Sequence, residues 1–334
     1  MRFVSELLAG LVEDVELSEL IGAELIDQVQ FMHGGEYAFR HPLIRTVAYE
    51  SQLKSDRSQL HRTLARTIEE HQPELADANA ALIAEHLEAA GDLREAFGWH
   101  MRAGEWARFR DVKAAYRSWQ RARDVADRLP IDDHDRSAMR TAPRLLICGN
   151  NWRVGLGVEE IGFDELQGIC TSAGDDLSLA IGLAGLLTAL VFHNKYREGA
   201  RIASDCSRLV ETIVDPSFTA EALIAASNAK FQAGEMAESL RLAQRAIDLA
   251  DGDPTKHSLI LGSPLAFALA LRASNRLYLG LRGFPDDFAD AIAMTRSAED
   301  TSTYVFCILL KYGFAVHCSQ RGGISRRDGH SADR

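Results

Sequence analysis

Apolar residues recur three and four positions apart along most of this chain, the spacing that lines one face of an α-helix. From about residue 75 onward every segment carries that spacing, and the interruptions fall at Gly, Asn and Pro. The pattern predicts paired helices at 78–90 with 93–110, 111–129 with 133–148, and 158–173 with 177–193. Further helices are predicted at 196–213, 218–233, 236–250, 264–280 and 286–297. Pro130, Pro216, Pro254 and Pro285 sit in the breaks, where a missing N–H costs least. Leu179, Leu183, Leu186, Leu187, Leu190 and Val191 leave little polar surface on helix 177–193, which should be largely buried.

The first 70 residues are patterned differently. Ser5–Leu11, Leu17–Ile21 and Ala23–Val29 carry helix-spaced apolar residues in short pieces. Gly34-Gly35 marks a turn, and Glu36-Tyr37-Ala38-Phe39 alternates as a short strand does. His41-Pro42 opens a new helix, since Pro fits the first helical turn, and Leu43, Val47, Leu53, Leu60 and Leu64 supply its apolar stripe. Small helices, a β-wing and a further helix predict a winged-helix domain over 1–72. The chain as a whole is therefore expected to be mainly all-α, with a TPR-like α-solenoid of helix pairs over 73–316.

An internal repeat supports the solenoid. Shifted by 124 residues, Lys113–Pro130 falls on Ala237–Pro254 without a gap, and 8 of 18 positions are identical. Ala122 matches Ala246, where a small side chain lets a neighbouring helix approach, and Pro130 matches Pro254 at the helix ends. Tyr304–Val316 resembles the first helix of a further pair, so the last unit is expected to be incomplete and the chain cut short. The segment CSQRGGISRRDGHSADR that closes the sequence has one large aliphatic residue, Ile324, and residues 317–334 are expected to be a disordered tail.

Composition narrows the function classes. With 334 residues, about two domains are expected. The 37 basic and 48 acidic residues leave a net charge of −11, which makes nucleic acid an improbable partner because phosphate neutralisation needs surplus Lys and Arg. Five scattered cysteines without a Cys-x-x-Cys suit a reducing compartment, and MRFVSELLAG has no signal-peptide character, so a cytoplasmic location is expected. The apolar run Leu177–Phe192 spans 16 residues, short of the ~20 that cross a bilayer.

Candidate chemistry is sparse. His86 and Glu88 are close in sequence, but no His-x-x-x-His places two imidazoles on one helical face, and His193, Cys206, His317 and Cys318 are isolated. Asp132-Asp133-His134-Asp135 reads best as a solvated helix N-terminus. No Gly-Lys dipeptide occurs, so a P-loop is excluded, and Gly155-Leu156-Gly157 reads as a helix–helix loop. No catalytic residue, metal site or cofactor is assigned. Between Arg102 and Arg128 eight basic residues interleave with Trp106, Phe109, Tyr116 and Trp119. The stripe Val112, Ala115, Tyr116, Trp119, Ala122 and Ala126 places these aromatics in the core and the arginines on a solvated face; a groove for a ligand or acidic partner is the alternative.

The run YAFRHPLIRTVAYESQLKSDRSQLHRTLARTIEEH, Tyr37 to His71, closely resembles the segment that follows the nucleotide-binding domain in bacterial STAND-type AAA ATPases. These are attached to nucleotidyl-cyclase-like or LuxR-type regulators. EHLEAAGDLREAFGWHMRAGEWA, Glu85 to Ala107, resembles the first TPR-like unit of their helical array. The resemblance implies a P-loop ATPase leading into a winged helix and then an array that senses. His41-Pro42-Leu43 stands where those relatives carry His-Asp-Leu, whose His reaches the β-phosphate of ADP; His41 is thus the candidate nucleotide sensor, with Pro42 departing from the acidic residue. By itself His41 need do no more than start a helix.

Together these features predict a non-catalytic regulatory module that binds a protein or small effector on the helical array. A P-loop ATPase or cyclase domain would be supplied in trans. The rival readings are a DNA-binding regulator acting through helix 42–53 with Arg45 and Lys54, and a cyclase or ATP-binding activity completed by a missing N-terminal part.

Overall fold

The computed structural model describes residues 2–4, 17–30, 36–71, 73–213, 219–254, 262–297 and 301–313. The expected tail, 317–334, lies outside them, as do residues 314–316 of the last expected helix. The chain divides into two compact units, Met1–Pro143 and Arg144–Arg334. The division falls at Pro143, inside a helix; residue 72, where the sequence pattern changes, lies within the first unit.

The first unit begins with a three-stranded antiparallel sheet of order β1-β3-β2, made by β1 (Arg2–Val4), β2 (Ile26–Gln30) and β3 (Glu36–Phe39). Ala38 of β3 faces Arg2 on one side and Asp27 on the other. Helix α1 (Leu17–Gly22) precedes β2. The strand at 36–39 follows the sequence alternation, whereas Ala23–Val29 contributes a strand and not the helical piece its spacing suggested. Ile26 and Val29 are β-branched, and backbone pairing with β3 overrides a local i, i+3 match.

The helix that Pro42 opens is two helices, α2 (Pro42–Glu50) and α3 (Lys54–His71), broken at Ser51–Leu53. Most of their expected apolar stripe stays outside a core, since Leu43, Val47 and Leu53 are 65, 67 and 70% exposed, whereas Leu64 packs against the buried cluster of the first unit. Further along α3, Ala65 and Ile68 pack against Ile83 and Leu87 of α4 (Ala80–Ala90), Ala96 of α5 (Leu93–Ala107) and Val125 of α6 (Val112–Asp127). Asp111 caps α6, its Oδ1 accepting from the amides of Lys113 and Ala114 at 3.0 Å each.

Helix α6 packs most closely on α5, in front of it, rather than on the following helix as the sequence pairing proposed. The reason is Gly104. A Cβ there would lie 2.2 Å from Nε1 of Trp119, so the missing side chain lets the indole pack directly on α5. The helix that follows, α7 (Arg136–Gly149), is tied to the end of α6 by Arg136, bonding the carbonyls of Asp127 and Leu129, and by Arg140 on the Asp127 carboxylate.

The second unit is a helical array around one extended core. After the short α8 (Asn151–Val154) come α9 (Phe163–Ala173), α10 (Asp176–Phe192), α11 (Tyr196–Thr212), α12 (Ala220–Gln232), α13 (Met236–Ala250), α14 (Pro264–Tyr278), α15 (Phe284–Ser297) and α16 (Thr301–Ile308). Consecutive helices form hairpins, α10 with α11, α12 with α13 and α14 with α15. The first helix of each hairpin also packs on the first helix of the next, α10 on α12, α12 on α14 and α14 on α16. Antiparallel hairpins stacked this way, with one layer of first helices, are the architecture of a TPR-like solenoid. Gly234 and Gly280, both at positive φ, make two of the tight turns.

The sequence repeat maps onto equivalent elements. Its two copies are α6 and α13, each the second helix of a hairpin, with Ala122, Ala126, Ala246 and Ala250 all buried. Helix α10 is buried on nearly every side, as its pattern predicted. A buried polar junction joins α12, α13 and α14: Ser227 Oγ donates to the Ser239 carbonyl at 2.9 Å, and Asn275 Nδ2 donates to Ser239 Oγ at 2.8 Å. Cys148, Cys170, Cys206 and Cys307 are buried free thiols, and burial pushes Cys148 and Cys206 up to about 12. No described helix is long and apolar enough to cross a membrane.

Candidate functional site

The first-helix layer of the second unit carries a small cleft of about 40 Å³. Its walls come from α10 (Ala184, Thr188, Phe192), α12 (Glu221, Ile224, Ala225, Asn228), α14 (Phe267) and α16 (Phe306), with Trp152 of α8 closing one end. Four rings form a continuous cluster in it. Trp152 stacks on Phe192 with centroids 6.0 Å apart and meets Phe306 edge-on at 5.2 Å. Phe306 in turn contacts Phe267 at 5.3 Å. Such contacts hold the rings in fixed orientations and present an apolar surface to whatever enters. Phe192 is 49% exposed, so this surface opens to solvent.

Trp152 reaches the cleft because the chain turns just before it. Asn151, fully buried, donates from Nδ2 to the carbonyls of Cys148 and Gly185, the latter at 3.1 Å, and so pins α8 to α10. The approach depends on Gly185: a Cβ there would meet the Cys148 carbonyl oxygen and Sγ at 2.6 Å each. Gly155, at φ 75°, then ends α8 and carries the chain away.

Most of the lining is apolar, and the polar groups are few. Thr188 spends its hydroxyl on the Ala184 carbonyl at 2.8 Å. Glu221 is buried in the first turn of α12, and Asn228 is half-buried two turns on. An apolar recess this small, with few polar groups in its lining, suits the tip of an apolar side chain rather than a whole small molecule.

The residues singled out in the sequence lie elsewhere. His41 is the exposed N-cap of α2, its Nδ1 accepting from the Leu43 amide at 3.1 Å. The helix-start role that the sequence allowed is therefore present. His86 and Glu88 turn to different partners: His86 faces His61, whereas Glu88 accepts from His100 at 3.2 Å and from Arg128 at 3.0 Å. The acidic run is already held by a cation, because Arg94 bridges Asp133 at 2.7 Å and Asp135 at 2.6 Å. Gly155-Leu156-Gly157 is a helix–helix loop, with the Gly157 amide bonded to Glu160 at 2.7 Å.

The Arg102–Arg128 stretch departs from the expectation that its aromatics lie in the core. Trp119 is fully buried, but Trp106 and Phe109 are 37 and 58% exposed. They precede Val112, so they sit on the end of α5 and in the following loop, outside α6, which carries the apolar stripe. Arg110 covers Trp106 at 4.9 Å and Arg108 covers Phe109 at 4.5 Å, so these aromatics are sheathed by guanidinium groups.

No protein-family model matches the sequence, and no curated protein matches it. Solved structures do. RapI, in its apo form, superposes with a TM-score of 0.52 at 12% identity over 76% of this chain and 68% of its own. The likeness is one of fold, a helical-repeat array. A signal transduction ATPase with numerous domains from Pyrococcus horikoshii, which carries a tetratricopeptide repeat sensor, matches at TM-score 0.46 and 11% identity. That match covers 93% of this chain and spans 50% of the archaeal protein's length. A Rap protein in complex with competence and sporulation factor matches at TM-score 0.41 and 13% identity, over 82% of this chain and 79% of its own.

Proposed function

We propose that this chain is a non-catalytic regulatory module that binds an effector, a peptide or a protein segment, in the aromatic cleft of its second unit. The observation that carries the proposal is the ring cluster itself. Four aromatic side chains from four helices converge on one opening, where burying them against each other alone would not require Phe192 to stay half in water. The stacked-hairpin fold supports an extended ligand, since first helices line up into a continuous surface.

The test is a random-peptide library selected on the full chain and counter-selected on Phe192→Asp. Phe192 is exposed enough for the variant to fold, and a carboxylate among the rings repels apolar groups. Selected peptides are expected to bind in the micromolar range and to lose at least tenfold, about 1.4 kcal/mol, on Phe192→Asp. Peptides that bind both proteins equally would place recognition elsewhere.

Residues 1–72 support a winged-helix reading, with a three-stranded sheet followed by α2 and α3. We infer that such a segment serves as a joint to a P-loop ATPase or cyclase domain supplied in trans, in a cytoplasmic signalling protein related to STAND regulators. On that account His41 meets a nucleotide only when the partner domain is present. Calorimetry of the isolated chain with ADP, ATP and Mg²⁺ should then show no binding, and micromolar binding abolished by His41→Ala would overturn the account.

A further inference from the structure

Helix α2 buries none of its residues, yet one side chain near its end is tied into the body of the first unit. The Tyr49 hydroxyl lies 3.0 Å from His61 Nε2 on α3, and His61 Nδ1 lies 2.9 Å from His86 Nδ1 on α4. The two imidazole rings lie 5.1 Å apart between centroids, tilted by 31°, and the Tyr49 ring meets His61 edge-on at 5.9 Å. Three helices are thus joined by two hydrogen bonds in series.

We propose that Tyr49, His61 and His86 form an acid-released latch that holds α2 and α3 against α4. The device follows from counting protons. A neutral imidazole has one N–H and one acceptor nitrogen, so a single proton lies between the two Nδ1 atoms and a second between Tyr49 and His61. One further proton can be accommodated if the Tyr49 hydroxyl turns from donor to acceptor. Two cannot: both Nδ1 atoms would then be donors facing each other at 2.9 Å, on two cations. Free imidazoles at pH 5 carry both protons, so opening the latch takes up at least one.

The surroundings reinforce this. Burial pushes the His86 imidazole down to about 4, helped by His61, and burial followed by the Arg57 guanidinium lowers His61. Arg57 lies one turn back on α3, 4.7 Å from the centre of the Tyr49 ring. From α2 the facing group is Tyr49. From α4 the carboxylates Glu85 and Glu88 bear on His100, and the charged groups that act on His61 and His86 are Arg57 and His61 rather than a carboxylate. Both folded values lie below the ordinary imidazole value. The closed latch is therefore fully favoured above about pH 6.5 and weakens as pH falls toward 4.

The experiment is amide hydrogen exchange of the full chain at pH 7, 6 and 5, each corrected for the intrinsic exchange rate. Uptake of one proton on opening predicts that protection of residues 42–71 falls on the order of tenfold from pH 6 to 5, while helix 220–232 stays level. A variant carrying His61→Phe and His86→Phe should lose that slope. Independently of the variant's folding, imidazole nitrogen resonances of the wild-type chain should show His86 titrating below pH 5. Two histidines titrating separately near pH 6.5, or protection of 42–71 that tracks helix 220–232 at every pH, would overturn the latch.

Discussion

Trp119→Ala is expected to lower the stability of the first unit by roughly 3–5 kcal/mol. The indole is fully buried between α5 and α6, seated over Gly104, which has no side chain to fill the space it leaves. Trp106→Ala is the control. Its ring is more than a third exposed under Arg110, so its loss should cost less than about 1 kcal/mol. Urea unfolding read by a probe in the first unit distinguishes the two. Equal effects would mean that the Gly104 contact does not anchor the α5–α6 hairpin.

Gly185→Ala is expected to do damage of a different kind. The added methyl would meet the Cys148 backbone at 2.6–2.7 Å, and a backbone atom cannot swing aside as a side-chain tip can. Overpacking of this sort costs on the order of 1–3 kcal/mol. It also strains the bond from Asn151 to the Gly185 carbonyl, which positions Trp152 at the cleft. Effector affinity should therefore fall at least tenfold in molecules that remain folded. Gly168→Ala, in α9 with open space around its Cβ, should instead stabilise by about 0.5–1 kcal/mol and leave binding intact. Unchanged peptide affinity in Gly185→Ala would detach Trp152 from recognition.

What the sequence makes legible follows from what each signal depends on. Helix positions from residue 80 onward depend on local periodicity and on Gly and Pro punctuation, and helix 236–250 matches its expected bounds residue for residue. The strand at Ile26–Gln30 depends on pairing with β3, a partner that no local pattern names. The partner of α6 turned on one missing side chain, Gly104, opposite one large one, Trp119. A stripe that reads clearly along a single helix says nothing of Trp106 and Phe109, which lie before that helix begins.

The cleft was the least legible feature. Trp152, Phe192, Phe267 and Phe306 are scattered over some 150 residues, and each taken alone is an ordinary core aromatic. Only the stacking of α10, α12, α14 and α16 brings them together. A usable hint did exist in Asn150-Asn151-Trp152, an aromatic carried by a polar break between glycines 149 and 155 in an otherwise helical run. A large apolar side chain in such a break has no helix stripe to join and must be packed against another element.

We propose that effector recognition lies on the layer of first helices in the second unit. Hydrogen-exchange footprinting of the full chain with a library-selected peptide tests it most directly. The account predicts new protection in helices 176–192, 220–232 and 264–278, with 196–212 and 236–250 unchanged. Protection confined to those second helices, or to residues 42–143, would contradict it.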